Sequence, residues 1–147
     1  MQQNYILLIS TRSQEEGLCA IVDPTGNSIH REKLRFDLNT DLEQKLLPTL
    51  SSLLSRAHLS PADISGILFD SGQGRFTSLR LGATVANVLG WVLGKHVAPV
   101  ALENDIDISS VQVREVIRRG VDILQRSHVF EPILPVYGSE PTITLRT

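Results

Sequence analysis

The residues that come closest to a chemical site lie where a predicted strand joins a predicted helix. Asp70 ends an apolar run, and Gly72 and Gly74 follow it just before the helix. Backbone N–H groups of a glycine loop and of a helix N-terminus can bind an anion such as phosphate, and Thr77 would add a hydroxyl group. The spacing matches neither a Walker loop nor a dinucleotide fingerprint. The loop is therefore either a phosphate site or a tight turn with exposed arginines.

The other residues with chemical potential do not assemble into a site. Asp70 is the one acid predicted at a strand end beside the glycine loop, and a single carboxylate is a poor metal site. The four histidines are scattered and lack partners at metal-ligand spacing. The sequence indicates no base that could activate Ser10 or Ser71 as a nucleophile. Cys19 lies in the middle of a predicted strand, where we expect it to be a small buried apolar residue. The sequence predicts no catalytic residue, no metal site and no cofactor.

These residues are positioned by alternating strands and helices. Apolar and alternating patterns predict strands at 5–10, 17–23, 33–38, 64–70 and 97–102. Leucine spacing predicts an amphipathic helix at 41–57, with Leu46, Leu47 and Leu50 among the residues of its buried face. Further helices are predicted at 76–94 and from Ser109 onward. Three prolines predict an extended tail from Val129 onward. Three consecutive strands followed by alternating helices and strands predict an α/β fold, a mixed sheet with helices against its faces.

Small residues recur along one stripe of the helix predicted at 76–94. The stripe comprises Gly82, Ala83, Ala86, Gly90 and Gly94. Glycine inside a helix costs about 1 kcal/mol relative to alanine, so the stripe indicates that another backbone approaches closely. That partner is either within the chain, such as the leucine-rich helix at 41–57, or in another molecule. Trp91, the one tryptophan, is a candidate anchor at the rim of an intermolecular contact.

Composition limits the class of protein. The chain has 147 residues, of which 41% are apolar, and a formal net charge of −2. This length predicts one domain, with or without a small appendage. The single cysteine fits a reducing compartment, and no apolar run approaches the ~20 residues that span a bilayer. A dedicated nucleic-acid binder is usually more basic. We therefore expect a cytoplasmic protein with no membrane segment and no direct contact with nucleic acid.

The glycine loop resembles that of the TsaB family of bacterial tRNA threonylcarbamoyladenosine biosynthesis proteins. That family typically reads Gly-Arg-Gly-Pro-Gly-Ser-Phe-Thr-Gly-Leu-Arg-Ile-Gly at its strand–helix junction. The residues in register are Gly72, Gly74, Phe76, Thr77, Leu79, Arg80 and Gly82. The first strand, at 6–11, and the Leu46-Leu47-Pro48 step are also similar to the family pattern. The resemblance covers about residues 5–102.

The resemblance implies an actin-like, ribonuclease-H-like fold of the ASKHA class and a role without catalysis. It implies a partner of the TsaD enzyme, which transfers the threonylcarbamoyl group to adenosine 37 of tRNA, in a complex that a TsaE-like ATPase joins. Pairing would use the helices predicted at 41–57 and 76–94, and a homodimer can use the same face. The interface residues expected on this basis are Leu46, Leu50, Leu79, Gly82, Ala83, Ala86, Gly90 and Trp91.

Departures from the family pattern keep two alternatives open. Ser10 stands where the family usually has the Asp of its first strand, so a carboxylate that helps to hold phosphate and metal in active ASKHA proteins is replaced. Residues 1–102 are expected to form the N-terminal subdomain, and 103–147 a short helix and tail left from a second subdomain. One alternative is an ASKHA-type nucleotide-binding ATPase or small kinase. The other is a self-associating structural relic outside the tRNA pathway.

Overall fold

The computed structural model describes residues 4–11, 16–35, 41–72, 76–102, 111–126 and Pro132. Its strands are β1 (Tyr5–Ser10), β2 (Glu16–Val22), β3 (Ser28–Arg35), β4 (Ile64–Asp70) and β5 (Val97–Val100). Its helices are α1 (Asp41–Arg56), α2 (Phe76–Leu93) and α3 (Val111–Arg126), and one 3-10 turn at Pro61–Asp63 precedes β4. None of these three helices combines the length and apolar character needed to cross a membrane.

The strands form one mixed sheet with the order β3-β2-β1-β4-β5. β1 pairs antiparallel with β2, and β2 pairs antiparallel with β3. β1 and β4 are parallel, and β4 and β5 are parallel. Parallel neighbours need crossover connections, and the helices between these strands supply them. The predicted meander followed by alternating helices and strands is confirmed.

Each face of the sheet has its own apolar core. Leu7 and Ile9 of β1 point to one face, where they pack with Leu46 and Leu53 of α1 and with α2. Ile6 and Leu8 point to the other face, where α3 packs over them. This two-sided burial is the reason why β1 and β4 are continuous apolar runs rather than alternating ones. α3 therefore packs on the same sheet as α1 and α2, and the assignment of 103–147 to a second subdomain stays a prediction.

Two details of the predicted elements are wrong. Alternation predicts the third strand at 33–38, but β3 begins at Ser28. The reason is the turn at residues 23–27, which returns the chain at once to pair with β2. Residues 36–38 lie outside the described residues. The side-chain carboxyl group of Asp23 accepts hydrogen bonds from the backbone N–H groups of Thr25 and Asn27, at 2.9 and 3.0 Å. Leu47 was placed on the buried face of α1, but its side chain is 53% exposed. The expected tail lies outside the described residues, apart from Pro132.

The buried thiol of Cys19 makes the stability of the fold sensitive to alkaline pH. Burial, with a smaller contribution from Glu32 on β3, raises the pKa of Cys19 from 9.0 to about 12. Between these two values the unfolded chain has lost a proton that the folded chain keeps. The free energy of unfolding should therefore fall as pH rises above 9, by about 1.4 kcal/mol per pH unit from this group. Urea unfolding at pH 8 and pH 10 tests this, with Cys19→Ala as the reference. An equal pH dependence in the two proteins would contradict it.

Candidate functional site

A buried polar cluster lies where β1 and β4 end. Because these two strands are parallel neighbours, their carboxyl ends meet at the same edge of the sheet. The side chains of Ser10, Thr11, Asp70 and Ser71 are buried there. The Ser10 hydroxyl group donates a hydrogen bond to Oδ2 of Asp70 over 2.8 Å. Ser10, which the resemblance marked as a lost carboxylate, is thus a hydrogen-bond partner of the acid that remains.

The carboxyl group of Asp70 also holds the start of the glycine loop. Its Oδ1 accepts the backbone N–H of Gly72 and the backbone N–H of Leu102, each over 3.1 Å. Next to it, the backbone N–H of Ser71 donates to the carbonyl oxygen of Val100 over 2.8 Å. These bonds fix the loop entrance to the end of β5 and satisfy buried backbone groups, which are costly to leave unpaired. The arrangement assigns Asp70 a structural role.

Of the three residues predicted to bind phosphate, the structure fully describes only Gly72. The N–H of Gly72 is directed at Asp70, so it is already used inside the chain. Gly74 lies outside the described residues, and Thr77 lies in the first turn of α2 with a side chain that is also outside them. Among the described residues there is no group of three or more His, Cys, Asp or Glu side chains that could hold a metal ion. Phosphate binding by the loop therefore stays a prediction.

The small-residue stripe of α2 packs against the sheet. Ala83 and Ala86 belong to the core cluster on that face, and a Cβ atom added to Gly82 would lie 2.0 Å from Oγ1 of Thr11 and 2.8 Å from Cε2 of Phe69. The glycine thus allows the helix to approach the end of β1 and the ring on β4. Gly94 follows the helix with a φ of +66°, a conformation that ends helices. The stripe therefore has a partner within the chain, and this partner is the sheet.

Gly82→Ala should destabilise the fold. The added methyl group would overlap Thr11 and Phe69, both fully buried, and overpacking of this kind costs about 1–3 kcal/mol. Because the added Cβ would lie only 2.0 Å from Oγ1 of Thr11, we expect this cost to exceed the gain of about 1 kcal/mol in helix propensity. Gly66→Ala is the matched control, because its Cβ would meet the flexible end of Leu124 at 2.8 Å. Urea unfolding should give a lower midpoint for Gly82→Ala than for Gly66→Ala, and the reverse order would contradict the packing described.

Most of the residues expected at an interface are buried within the chain. The buried ones are Leu46, Leu50, Leu79, Gly82, Ala83, Ala86 and Gly90. Trp91 differs, since its side chain is 73% exposed. Any contact surface on these helices would therefore consist of Trp91 and other exposed side chains, because the small-residue stripe lies on the buried side of α2.

The outward face of α2 carries an exposed apolar ridge. We define the apolar ridge as Val88, Trp91 and Val92, with exposed fractions of 51%, 73% and 65%. The spacing i, i+3 and i+4 places the three side chains on one side of the helix, opposite the buried stripe. Among the side chains that the structure describes on these two helices, Leu47 of α1, on the same face of the sheet, is the other large exposed apolar residue. Contiguous exposed apolar surface is a common feature of protein contacts.

A signal for the ridge is present in the sequence. Residues 81–93 contain no charged side chain, although only one side of the helix can face the sheet. A helix that is apolar on all sides is normally buried on all sides. The small-residue stripe accounts for the side of α2 that faces the sheet, and the absence of charge on the other side is the signal for Val88 and Val92 beside Trp91.

The chain matches several known proteins over part of its length. The family model of TsaD, tRNA N6-adenosine threonylcarbamoyltransferase, matches residues 39–102. A tRNA N6-adenosine threonylcarbamoyltransferase of Ralstonia pickettii (strain 12J) is 37% identical over 57 residues, which are 39% of this chain and 16% of that protein. The TsaB biosynthesis protein of Bacillus subtilis (strain 168) is 29% identical over a longer stretch of 96 residues, 65% of this chain and 40% of that protein. Over these residues the chain is similar to TsaB and to TsaD proteins.

The comparison with solved structures concerns the fold. YeaZ from Pseudomonas aeruginosa superposes with a TM-score of 0.59 at 23% identity, over 67% of this chain and 44% of that one. The predicted actin-like, ribonuclease-H-like α/β fold is confirmed. The chain spans less than half the length of each of these relatives.

Proposed function

We propose that this TsaB-like chain acts in the threonylcarbamoyladenosine modification of tRNA as a non-catalytic partner of a TsaD-like protein. The similarity to the TsaB protein and to the TsaD family model supports the pathway. The apolar ridge supports a role in binding. The chain then works by contact with its partner, and the chemistry belongs to the TsaD-like protein.

The apolar ridge is the observation that carries this proposal. Trp91 protrudes from α2 with 73% of its surface exposed, and large aromatic side chains are frequent among residues that dominate binding energy. Val88 and Val92 flank it on the same side of the helix and extend the apolar surface along the helix axis. On the opposite side of α2, Leu79, Ala83 and Ala86 belong to the core against the sheet, so the packing of this helix determines where the ridge lies.

The match to the TsaD family model indicates what kind of surface would complement the ridge. The matched residues 39–102 run from the start of α1 to just beyond β5. A TsaD-like protein therefore contains a segment similar in sequence to α1, β4, α2 and β5. Two proteins that present similar helical faces can pair about an approximate two-fold axis, as identical subunits do about an exact one. A second copy of the chain is a competing occupant of the same face, and a TsaE-like ATPase is a further partner of the resulting complex.

The structural role of Asp70 supports a partner rather than an enzyme. Each oxygen of its carboxyl group already accepts a hydrogen bond from within the chain, from Ser10 on one side and from Gly72 and Leu102 on the other. An acid committed in this way stabilises the loop entrance. The ATPase or kinase alternative would need this group, or another acid, to hold a metal-bound nucleotide.

Complementation in bacteria tests the proposed function. The chain is expressed in one strain that lacks its own TsaB and in another that lacks its own TsaD, and threonylcarbamoyladenosine is measured in digested tRNA by mass spectrometry. We expect the modified nucleoside to return in the first strain, when the cognate TsaD-like protein is co-expressed, and to stay absent in the second when the chain is expressed without it. Restoration in the second strain by the chain alone would show a transferase and contradict the proposal.

A further inference from the structure

We draw no further inference here: the strongest candidate, the outer edge of strand β3 with the exposed cations Arg31 and Lys33, carries nothing because the described residues do not show what covers it, and such charges also serve to keep an open sheet edge from pairing.

Discussion

Replacing Asp70 with alanine is expected to lower the free energy of unfolding by about 3 kcal/mol or more. The change removes the acceptor of three hydrogen bonds, and it leaves the buried N–H of Leu102, the buried Ser10 hydroxyl and the partly buried N–H of Gly72 without this partner. A buried polar group left unsatisfied costs about 1–3 kcal/mol. Urea unfolding followed by circular dichroism measures the loss. A variant within 1 kcal/mol of the wild type would contradict the anchoring role.

Two matched variants separate hydrogen bonding from packing at this position. Asp70→Asn keeps the shape of the side chain and one carbonyl oxygen that can accept both N–H groups, and its amide group can donate to the Ser10 oxygen. We therefore expect a much smaller loss than for Asp70→Ala. Ser10→Ala removes only the 2.8 Å bond to Oδ2 and should cost about 1 kcal/mol. If Asp70→Asn were as harmful as Asp70→Ala, the hydrogen-bond account would be wrong.

Changing Trp91 to glutamate is expected to weaken binding to the proposed TsaD-like partner by at least 100-fold. The substitution removes the largest exposed apolar side chain of the ridge and places a charge where the interface would exclude water. A loss of 100-fold corresponds to about 2.7 kcal/mol, which is within the range of a dominant interface residue. Isothermal titration calorimetry with the purified cognate partner gives the affinity, and the thermal unfolding midpoint of the isolated chain checks that the fold is intact.

The control for this change lies on the opposite face of the molecule. Val111 at the start of α3 is 67% exposed, and α3 packs on the other side of the sheet from α2. Val111→Glu adds the same charge to a similarly exposed apolar position, so it should leave the affinity within about twofold. Equal losses from Trp91→Glu and Val111→Glu would mean that net charge, rather than the ridge, controls binding.

The sheet and its helices were largely predictable because their patterns are set by burial. The apolar runs of β1 and β4 reflect cover on both faces, and their bounds agree with the prediction. The start of β3 was not predictable from alternation, since Ile29 and His30 give no clear pattern and the register is set by the turn at residues 23–27. Leu47 illustrates a second limit. Apolar residues on a helix can exceed what one sheet face can cover, and spacing alone does not show which one stays outside.

The candidate site was less predictable because it depends on contacts between distant residues. Asp70 and Ser10 are 60 positions apart, and their hydrogen bond exists only because β1 and β4 are parallel neighbours. The small-residue stripe was compatible with a partner within the chain or in another molecule. The close approach of Gly82 to Thr11 and Phe69 shows a partner within the chain, which is the sheet. Only the folded chain shows that Val88 and Val92 complete a surface with Trp91.

The proposed contact between the apolar ridge and a TsaD-like protein is tested most directly by site-specific photo-crosslinking. A photoreactive amino acid is placed at Val92 in one sample and at Val111 in another, and each is irradiated with the purified cognate partner. We expect the probe at Val92 to crosslink to the partner segment equivalent to α2, identified by peptide mass spectrometry, and the probe at Val111 to give no crosslink. Absence of a crosslink from Val92, or an equal yield from Val111, would contradict the claim.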